Sequence, residues 1–334
     1  MNAAAKLRAA VIGAGHMGNY HAQKLAALDG VELVAVVDAD AARAQAIAQK
    51  THSHAHSDYR ELLSRLDCAF IATPTEFHHH IARDCLNAGV HVLVEKPIAK
   101  TVQQAQELVA LAEQRALVLQ VGHAERFNAA FTAAQAHLQR PRYIEAHRLS
   151  PFRGRSTDID VVLDLMIHDI DLTLALVHAR DKEPASLPPP VKEVHAMGSR
   201  VLTDQVDIAN ARIAFANGCV ATLTASRVSA KPMRKIRGFA PNLYVSVDCM
   251  NYSLTLGRTG DAAHGEAPIV VEEKQFDQKD SLLTQAQAFI AAVRNKSVPR
   301  VSGADGARAL ELALNIKDKV EQSMREFGTE MGAR

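Results

Sequence analysis

Residues 11–19, which read V-I-G-A-G-H-M-G-N, decide the fold of this 334-residue chain. They follow an apolar run over 7–12 that predicts a buried strand, and they lead into an amphipathic helical pattern over 17–28. A second apolar run over 31–37 ends at Asp38, 20 residues after the last glycine of the stretch. This order predicts a dinucleotide-binding βαβ unit with the spacing G-x-G-x-x-G. The three glycines are Gly13, Gly15 and Gly18.

Each position of this turn has a physical task. Gly13 permits the tight turn, Gly15 lets backbone N–H groups approach a pyrophosphate, and Gly18 lets the helix pack closely on the sheet. His16 and Met17 start the helix, where unpaired backbone N–H groups bind phosphate. We therefore expect all five residues to contact or position the cofactor.

The acid at the end of the second strand selects the cofactor. Asp38 is expected to accept hydrogen bonds from the adenine ribose hydroxyls and to repel a 2′-phosphate. No arginine follows until Arg43. The pattern therefore predicts NAD rather than NADP.

Composition excludes several kinds of partner. The 38 basic and 37 acidic residues nearly cancel, so no strong field favours nucleic acid or a membrane surface. No apolar run reaches the roughly 18 residues that span a bilayer, and the first residues show no secretory leader pattern. The four cysteines form no C-x-x-C pair. We therefore expect a cytoplasmic protein without a disulfide or zinc framework.

The order of elements predicts two domains. Over residues 1–123 strands alternate with helices, which is typical of a Rossmann domain with a doubly wound parallel sheet. Residues 124–334 are expected to form a substrate-binding and oligomerisation domain of the α+β class with a large open mixed or antiparallel sheet, whose C-terminal helix is free to pack back on the first domain. Predicted strands lie near 7–13, 31–37, 68–72, 90–94, 117–121, 143–149, 191–199, 206–215, 218–227, 242–249, 252–257 and 268–275. Predicted helices lie near 15–28, 40–50, 75–88, 101–115, 125–138, 160–178, 280–294 and 304–324.

A lysine stands at the end of a predicted buried strand. Residues 92–97 read V-L-V-E-K-P, and Pro97 ends the ladder directly after Lys96. Ligands of parallel sheets collect at the carboxyl ends of the strands, so the Lys96 ammonium is expected to face the cofactor crevice. A solvated surface lysine is the alternative.

A second polar cluster lies in the predicted helix over 160–178. Asp164 and His168 are four residues apart, so on a helix they share one face. A histidine there can accept an alcohol proton while a hydride leaves the carbinol carbon, and the carboxylate can bias the imidazole. The alternative is an ordinary helix in which the histidine has its hydrogen bonds made within the protein and the acidic side chain faces solvent.

Four motifs together resemble the Gfo/Idh/MocA family of NAD(P)-dependent sugar and inositol oxidoreductases: V-I-G-A-G-H-M-G, A-T-P-T-E-F-H, V-E-K-P and D-L-M-I-H-D. The resemblance implies that Lys96, Asp164 and His168 surround the reacting carbinol, and it leaves open whether His168 or Lys96 is the base. It also implies that an open sheet of the second domain makes oligomer contacts. The resemblance also implies that Thr73, Pro74 and His78 lie along the nicotinamide side of the cofactor and that Glu95 and Lys96 close its far end.

A run of cations is the candidate for substrate selection. Five cations fall within eleven residues, which suits a diphosphate because arginine engages phosphate oxygens in a bidentate manner. The alternative to diphosphate binding is that these cations lie on a solvent-exposed hairpin or in a contact between subunits. The five residues are Arg227, Lys231, Arg234, Lys235 and Arg237. Arg126, at a predicted helix start with Glu125 and Asn128, is a further substrate-binding candidate or an ordinary polar residue of a helix start.

Residues 202–212 and 217–229 extend the resemblance to the branch of that family that oxidises UDP-N-acetylglucosamine at C3. This implies a UDP-sugar substrate, a keto product passed to an aminotransferase for the 3-amino sugar of lipid A, and a homodimer or homotetramer. One alternative is a dehydrogenase of a free sugar or inositol, which needs no diphosphate clamp. Another is a non-catalytic NAD-sensing protein, which would not need Lys96, Asp164 and His168.

Two groups of histidines raise the question of a metal. We expect the first group in a polar loop and the second at a helix start where neighbours point in different directions, so neither predicts a single-ion site. Hydride transfer to NAD needs no metal. The groups are His52, His54 and His56, and His78, His79 and His80.

Overall fold

The computed structural model of the protein describes residues 5–154, 158–177, 190–261, 264, 267–278 and 280–327. They form two compact units, of which the first contains 5–124 and Asp280–Leu310 and the second contains the remainder. The sequence pattern assigned 280–310 to the second domain. This segment belongs to the first unit because its Ala286 and Phe289 side chains are part of the same apolar core as Val11 and Leu93.

The first unit is built on a parallel sheet of six strands in the order β3-β2-β1-β4-β5-β6. Its inner strands are continuous apolar runs because helices cover both faces of such a sheet; β4, for example, is buried along its whole length. The strands are β1 Leu7–Ile12, β2 Val31–Val37, β3 His54–His56, β4 Cys68–Ile71, β5 His91–Glu95 and β6 Leu119–Gly122. The helices are α1 His16–Ala26, α2 Ala41–Thr51, α3 Thr75–Asn87 and α4 Val102–Gln114, with α7 Ser281–Asn295 from the returning segment.

The edge strand β3 corrects the sequence prediction. Residues 54–56 were expected in a polar loop, but they pair in parallel with β2. An edge strand has one open side, so its histidines need not be buried. This explains why no apolar pattern marks the strand.

The second unit is built on a mixed sheet of eight strands in the order β14-β13-β12-β11-β7-β10-β9-β8. Only the β7–β10 pair is parallel. The predicted hairpin at Asn217-Gly218 is confirmed by the antiparallel β9–β10 pair and by a φ of 83° at Gly218. The strands are β7 Tyr143–Leu149, β8 Val191–Ser199, β9 Ile208–Phe215, β10 Val220–Ser226, β11 Met233–Ala240, β12 Leu243–Asp248, β13 Ser253–Thr259 and β14 Ile269–Gln275.

Strand β11 was missed by the sequence analysis, which treated its cations as one cluster. Ile236 and Gly238 point to the face that carries α5 (Ala129–His137), where a Cβ on Gly238 would lie 2.1 Å from Leu138. Because only two of its eight residues are buried, its period of two is hard to see in the sequence. The fold class itself, a Rossmann sheet followed by a mixed sheet, is as predicted.

The helix predicted over 160–178 is not uniform. It begins with one π-helical turn, Val162–Met166, and continues as α6, Ile167–Val177. The buried Asp160 carboxylate accepts hydrogen bonds from the N–H groups of Val162 and Leu163, both at 2.9 Å, and so caps this start. The last helix, α8, is Gly303–Phe327. Within the described ranges, no helix is both long and apolar enough to cross a membrane.

Candidate functional site

The glycine turn between β1 and α1 is fixed by backbone contacts. Gly13 has a φ of 102°, and a Cβ there would lie 2.6 Å from the backbone of Ala72. A Cβ on Gly18 would lie only 1.7 Å from the carbonyl oxygen of Gly13. A Cβ on Gly15 meets nothing within 4 Å. The turn is therefore closely packed at its two ends and open at Gly15, as the approach of a ligand to the backbone requires.

The start of α1 fits a pyrophosphate. Gly15 occupies the N-cap position without a side-chain cap, and the first turn, which includes His16 and Met17, contains no acidic residue. Backbone N–H groups of a first helical turn lack partners within the helix, and the helix dipole favours an anion there. The geometry at Gly15 and the chemistry of this helix start therefore fit the diphosphate of a dinucleotide.

Asp38 follows β2 beside this turn. Its Oδ2 accepts the N–H of Ala14 at 2.7 Å, and its Oδ1 accepts the N–H of Asp40 at 2.8 Å. The guanidinium of Arg43 also donates to Oδ1 at 3.2 Å and pairs with Asp40. The carboxylate is thus held in place while each oxygen keeps capacity for a further donor such as a ribose hydroxyl.

Glu95, the last residue of β5, is turned into the core beside Lys96. Its Oε1 accepts a hydrogen bond from Nε2 of the fully buried His21 at 2.7 Å, and a Cβ on Gly122 would touch its Oε2 at 2.7 Å. Burial raises the pKa of Glu95, but the hydrogen bond and charge of His21, with Lys96, outweigh burial and hold this pKa below its usual value. The carboxylate is therefore an anion inside the first unit.

His21 is a site residue that the sequence analysis missed. It lies three residues after Gly18 and four before Leu25, both of which are buried against the sheet. A polar residue at a core position of an amphipathic helix signals a buried partner. That signal was present in the sequence.

Thr73, Pro74 and His78 lie at the carboxyl end of β4, since Pro74 is the N-cap of α3. The His78 ring is buried, with its Nδ1 2.8 Å from the Pro97 carbonyl oxygen and its Nε2 2.8 Å from that of Thr73. Burial lowers the pKa of His78, against the opposing effect of the two carbonyl groups. The structure therefore brings Thr73, His78 and Pro97 together.

Asp164 and His168 belong to the second unit, and both are partly buried. Asp164 lies in the π-helical turn and His168 in the first turn of α6. Single π turns inside helices are frequent at functional sites. Each predicted catalytic residue thus lies at the end of a regular element, Lys96 in the first unit and the other two in the second.

A buried ionic network includes Asp169, the residue after His168 on α6, and the sequence analysis did not predict it. Arg148 donates to Asp169 at 2.9 and 3.1 Å and to Glu125 at 3.3 Å. The carboxylates raise the pKa of Arg148 despite its burial, and Arg148 with Arg234 holds the pKa of Glu125 below its usual value. Arg148 occupies the third inward position of β7, a place where an unexpected arginine signals a buried anion.

The predicted substrate cations are spread over different surroundings. Arg126 pairs with Asp171 at 3.3 Å, and both side chains are buried. Arg227 is buried beside Asp207 at 3.7 Å and also donates to the Ile159 carbonyl. Neither arginine faces solvent in the way that a phosphate clamp in an open cleft would require.

The remaining cations lie on both faces of the sheet. Arg234 shares the helix-covered face with Ile236 and donates to Glu125 at 3.1 Å. Lys235 and Arg237 point to the opposite face, where Arg237 pairs with Glu145 at 3.1 Å. Lys231 is exposed before the strand. The structure therefore does not bring the five residues of the run into one cluster.

Metal and thiol chemistry have little support in the described residues. Among them no group of three or more His, Cys, Asp or Glu side chains could hold a metal ion. The four cysteines are free and buried. Burial raises the pKa of the Cys68 and Cys85 thiols to about 12.

Two family models match the chain. The model of an oxidoreductase family with an NAD-binding Rossmann fold matches residues 7–123, and that of the Gfo/Idh/MocA C-terminal domain matches residues 130–239. The UDP-N-acetylglucosamine 3-dehydrogenase of Acidithiobacillus ferrooxidans is 39% identical over 317 residues, which cover 94% of this chain and 97% of that protein. A solved structure of the enzyme of that name from Acidithiobacillus ferrooxidans has a TM-score of 0.87 at 36% identity, covering 96% of this chain and 100% of that one.

Inositol dehydrogenases are more distant. The myo-inositol 2-dehydrogenase of Thermotoga maritima is 24% identical over 347 residues, which cover 95% of this chain and 97% of that protein. The solved scyllo-inositol dehydrogenase from Lactobacillus casei, with bound NAD(H) and scyllo-inositol, has a TM-score of 0.78 at 19% identity over 95% of this chain and 97% of that one, which shows the fold alone.

The chain belongs to the Gfo/Idh/MocA family of oxidoreductases. Its first unit is an NAD-binding Rossmann domain, and the predicted class, a dehydrogenase acting on a CH–OH group with NAD as cofactor, is confirmed.

Proposed function

We propose that this enzyme oxidises the C3 hydroxyl of UDP-N-acetylglucosamine to a ketone with NAD⁺. One observation carries the proposal: 39% identity over 94% of the chain to an enzyme named for this reaction. The myo-inositol 2-dehydrogenase that spans a similar length is only 24% identical. The presence of Lys96, Asp164 and His168 supports a catalytic rather than a sensing protein.

The reaction removes a hydride from C3 and a proton from its hydroxyl group. When bound, NAD⁺ supplies the hydride acceptor. In our proposal His168 takes the hydroxyl proton, and Lys96 donates a hydrogen bond to the same oxygen and stabilises the negative charge that develops there. Asp164 orients the substrate or the imidazole. The alternative assignment has Lys96 as the base.

For the diphosphate we propose Arg234 together with Lys231. Arg234 lies on the sheet face that carries α6 and His168, directly opposite Arg148 in the β7–β11 pair, and half of its side chain is exposed. Exposed guanidinium groups can engage phosphate oxygens. Lys235 and Arg237, on the other face, are better suited to a contact between subunits.

We further propose that the protein is a cytoplasmic homodimer or homotetramer whose keto product goes to an aminotransferase of lipid A biosynthesis. The free, buried cysteines fit a reducing compartment. On the sheet face opposite α5 and α6, Tyr143, Phe239 and Tyr244 form a row with ring centroids 5.9 and 5.2 Å apart. A partly exposed aromatic row is typical of an interface. Light scattering of the purified protein measures the assembly.

The deciding experiment offers the purified protein NAD⁺ with UDP-N-acetylglucosamine and, separately, with N-acetylglucosamine, glucose and myo-inositol. An aminotransferase and glutamate remove the ketone, because oxidation of a secondary alcohol by NAD⁺ is often uphill. We expect NADH only with the UDP-sugar. NADH with a free sugar or inositol instead would contradict the substrate and retain the class of enzyme.

Variants of the three proposed catalytic residues complete the test. We expect Lys96→Met and His168→Asn each to lower kcat by about 10²–10⁴-fold, as loss of a positioned acid or base does. Asp164→Asn should have a smaller effect. Activity at the wild-type level in either of the first two would contradict the proposed mechanism.

A further inference from the structure

We propose that His78 is a positioning residue for Lys96, and that its buried imidazole acts by tying the backbone after Lys96 to the turn after β4. The inference rests on the proposed role of Lys96 in catalysis. It gives the His78 ring a task other than direct contact with the cofactor.

The His78 ring lies between the ends of two neighbouring strands, within hydrogen-bond distance of both. Thr73 lies two residues beyond β4 and Pro97 two residues beyond β5, so neither carbonyl group belongs to the sheet ladder. The His78 nitrogens lie 2.8 Å from both carbonyl oxygens, and the residue is 1% exposed. Water therefore has little access to compete for these hydrogen bonds.

The other neighbour of Lys96 is held in the same manner. Glu95 is bound by His21 at 2.7 Å and fills the space beside Gly122. Lys96 thus lies between two residues that are each bound by a buried histidine. A lysine side chain is a flexible four-carbon stem, so the position of its ammonium group depends on how firmly its backbone is held.

The number of protons on His78 guides the choice of variants. Carbonyl oxygens only accept, and a neutral imidazole has one N–H whereas an imidazolium has two. Burial and Lys96 lower the pKa of His78, while the two carbonyl groups and Glu95 raise it. The ring donates to both carbonyl groups only as an imidazolium; as a neutral ring it donates to one of them and packs against the other. Glutamine retains an N–H donor at this position, and phenylalanine retains only the volume.

The experiment compares His78→Phe and His78→Gln with His79→Phe. His79 is the next residue of α3, is half-buried, and is 2.9 Å from Glu107 of α4, so its replacement perturbs the same helix without touching Thr73 or Pro97. For His78→Phe we expect kcat to fall about 10²-fold, as a displacement of about 1 Å does. The KM values should change less than about threefold, because no contact to a ligand is removed. His78→Gln should recover part of kcat, and His79→Phe should stay near the wild type.

Backbone hydrogen exchange gives a readout without turnover. In His78→Phe the amides of residues 94–96 and 98–100 should exchange faster than in the wild type, while in His79→Phe they should not. If His78→Phe leaves the hydrogen exchange of this segment unchanged, or keeps the wild-type kcat, the inference is overturned. If His78→Phe does not fold, His78→Gln is judged by the same two measurements.

The two proposals fail in different ways. If Lys96→Met is inactive while His78→Phe keeps the wild-type kcat and exchange, the function stands and the inference is wrong. If the wild type does not oxidise the UDP-sugar, the proposed function is wrong, and the exchange of residues 94–96 and 98–100 still decides whether His78 holds this segment.

Discussion

The surroundings of Lys96 in the first unit and of His168 in the second both bury charge beside a residue proposed to act on the substrate, but with different partners. Glu95, next to Lys96, is paired with the buried His21 through one contact of 2.7 Å. Asp169, next to His168, is paired with Arg148, which stays cationic throughout the useful pH range. The comparison teaches that two buried carboxylates can be shifted in opposite directions: the contacts of Glu95 hold its pKa below the usual value, whereas burial raises the pKa of Asp169 although Arg148 anchors it with two hydrogen bonds.

The largest effect is expected from Arg148→Met in the buried network of Arg148, Asp169 and Glu125. The change leaves the buried Asp169 and Glu125 carboxylates without their main partner, which costs about 3–5 kcal/mol of unfolding free energy. Urea unfolding followed by circular dichroism between pH 6 and 8 measures the loss. Arg212→Met, on an exposed position of β9, is the matched control. A loss for Arg148→Met as small as that of the control would show that the network is not an anchor.

The next effect separates folding from cofactor binding within the glycine turn. Gly18→Ala places a Cβ 1.7 Å from the Gly13 carbonyl oxygen, and we expect it to destabilise the protein by about 3 kcal/mol, the upper part of the range for overpacking. Gly15→Ala meets nothing within 4 Å and should leave Tm unchanged while weakening NAD binding. Thermal unfolding and calorimetric titration with NAD distinguish the two variants. Equal Tm values for both would contradict the packing argument.

A smaller effect is expected from Glu95→Gln, and it depends on pH. Because the folded-state pKa of Glu95 lies below its usual 4.5, its charge stabilises the fold above pH 4.5, and this contribution is lost as the pH falls through the folded-state pKa. We expect the unfolding free energy of the wild type to exceed that of the variant by about 2 kcal/mol at pH 7. The difference should shrink below pH 4.5. A difference that stays constant from pH 7 to 3.5 would show that the ionised carboxylate of Glu95 does not stabilise the fold.

The smallest effect on stability is expected from the surface cations. Arg237→Ala breaks a half-exposed pair with Glu145, worth about 0–1 kcal/mol, and should leave the KM for the UDP-sugar unchanged. Arg234→Ala should raise that KM, because we assign this residue to the diphosphate. Initial rates at saturating NAD⁺ measure both. A higher KM in Arg237→Ala alone would reverse the assignment of the two sheet faces.

Much of the first unit was predictable because its signals are local. Gly13, Gly15 and Gly18 mark a turn within six residues, and Asp38 and Lys96 each directly follow a strand. The edge strand β3 was not predictable, because its three residues have no apolar pattern.

The second unit was less predictable because its partners are distant in sequence. Arg227 and Asp207 are buried together, and Arg148 reaches Asp169 across 21 residues. Strand β11 was missed because its exposed cations mask the alternation of its buried residues. Which cation meets which carboxylate depends on strand register, and periodicity does not encode register.

The sequence by itself determined the Rossmann class, NAD as the cofactor and the family, because these depend on residue types at short, fixed spacings. The tertiary structure alone decided that His21 and His78 bind the residues on either side of Lys96, that Arg126 and Arg227 are buried in internal ion pairs, and that Arg234 and Arg237 lie on opposite faces of one strand. Burial and pairing arise only when distant segments pack together. The same residue type therefore serves as a surface cation at one position and as a structural anchor at another.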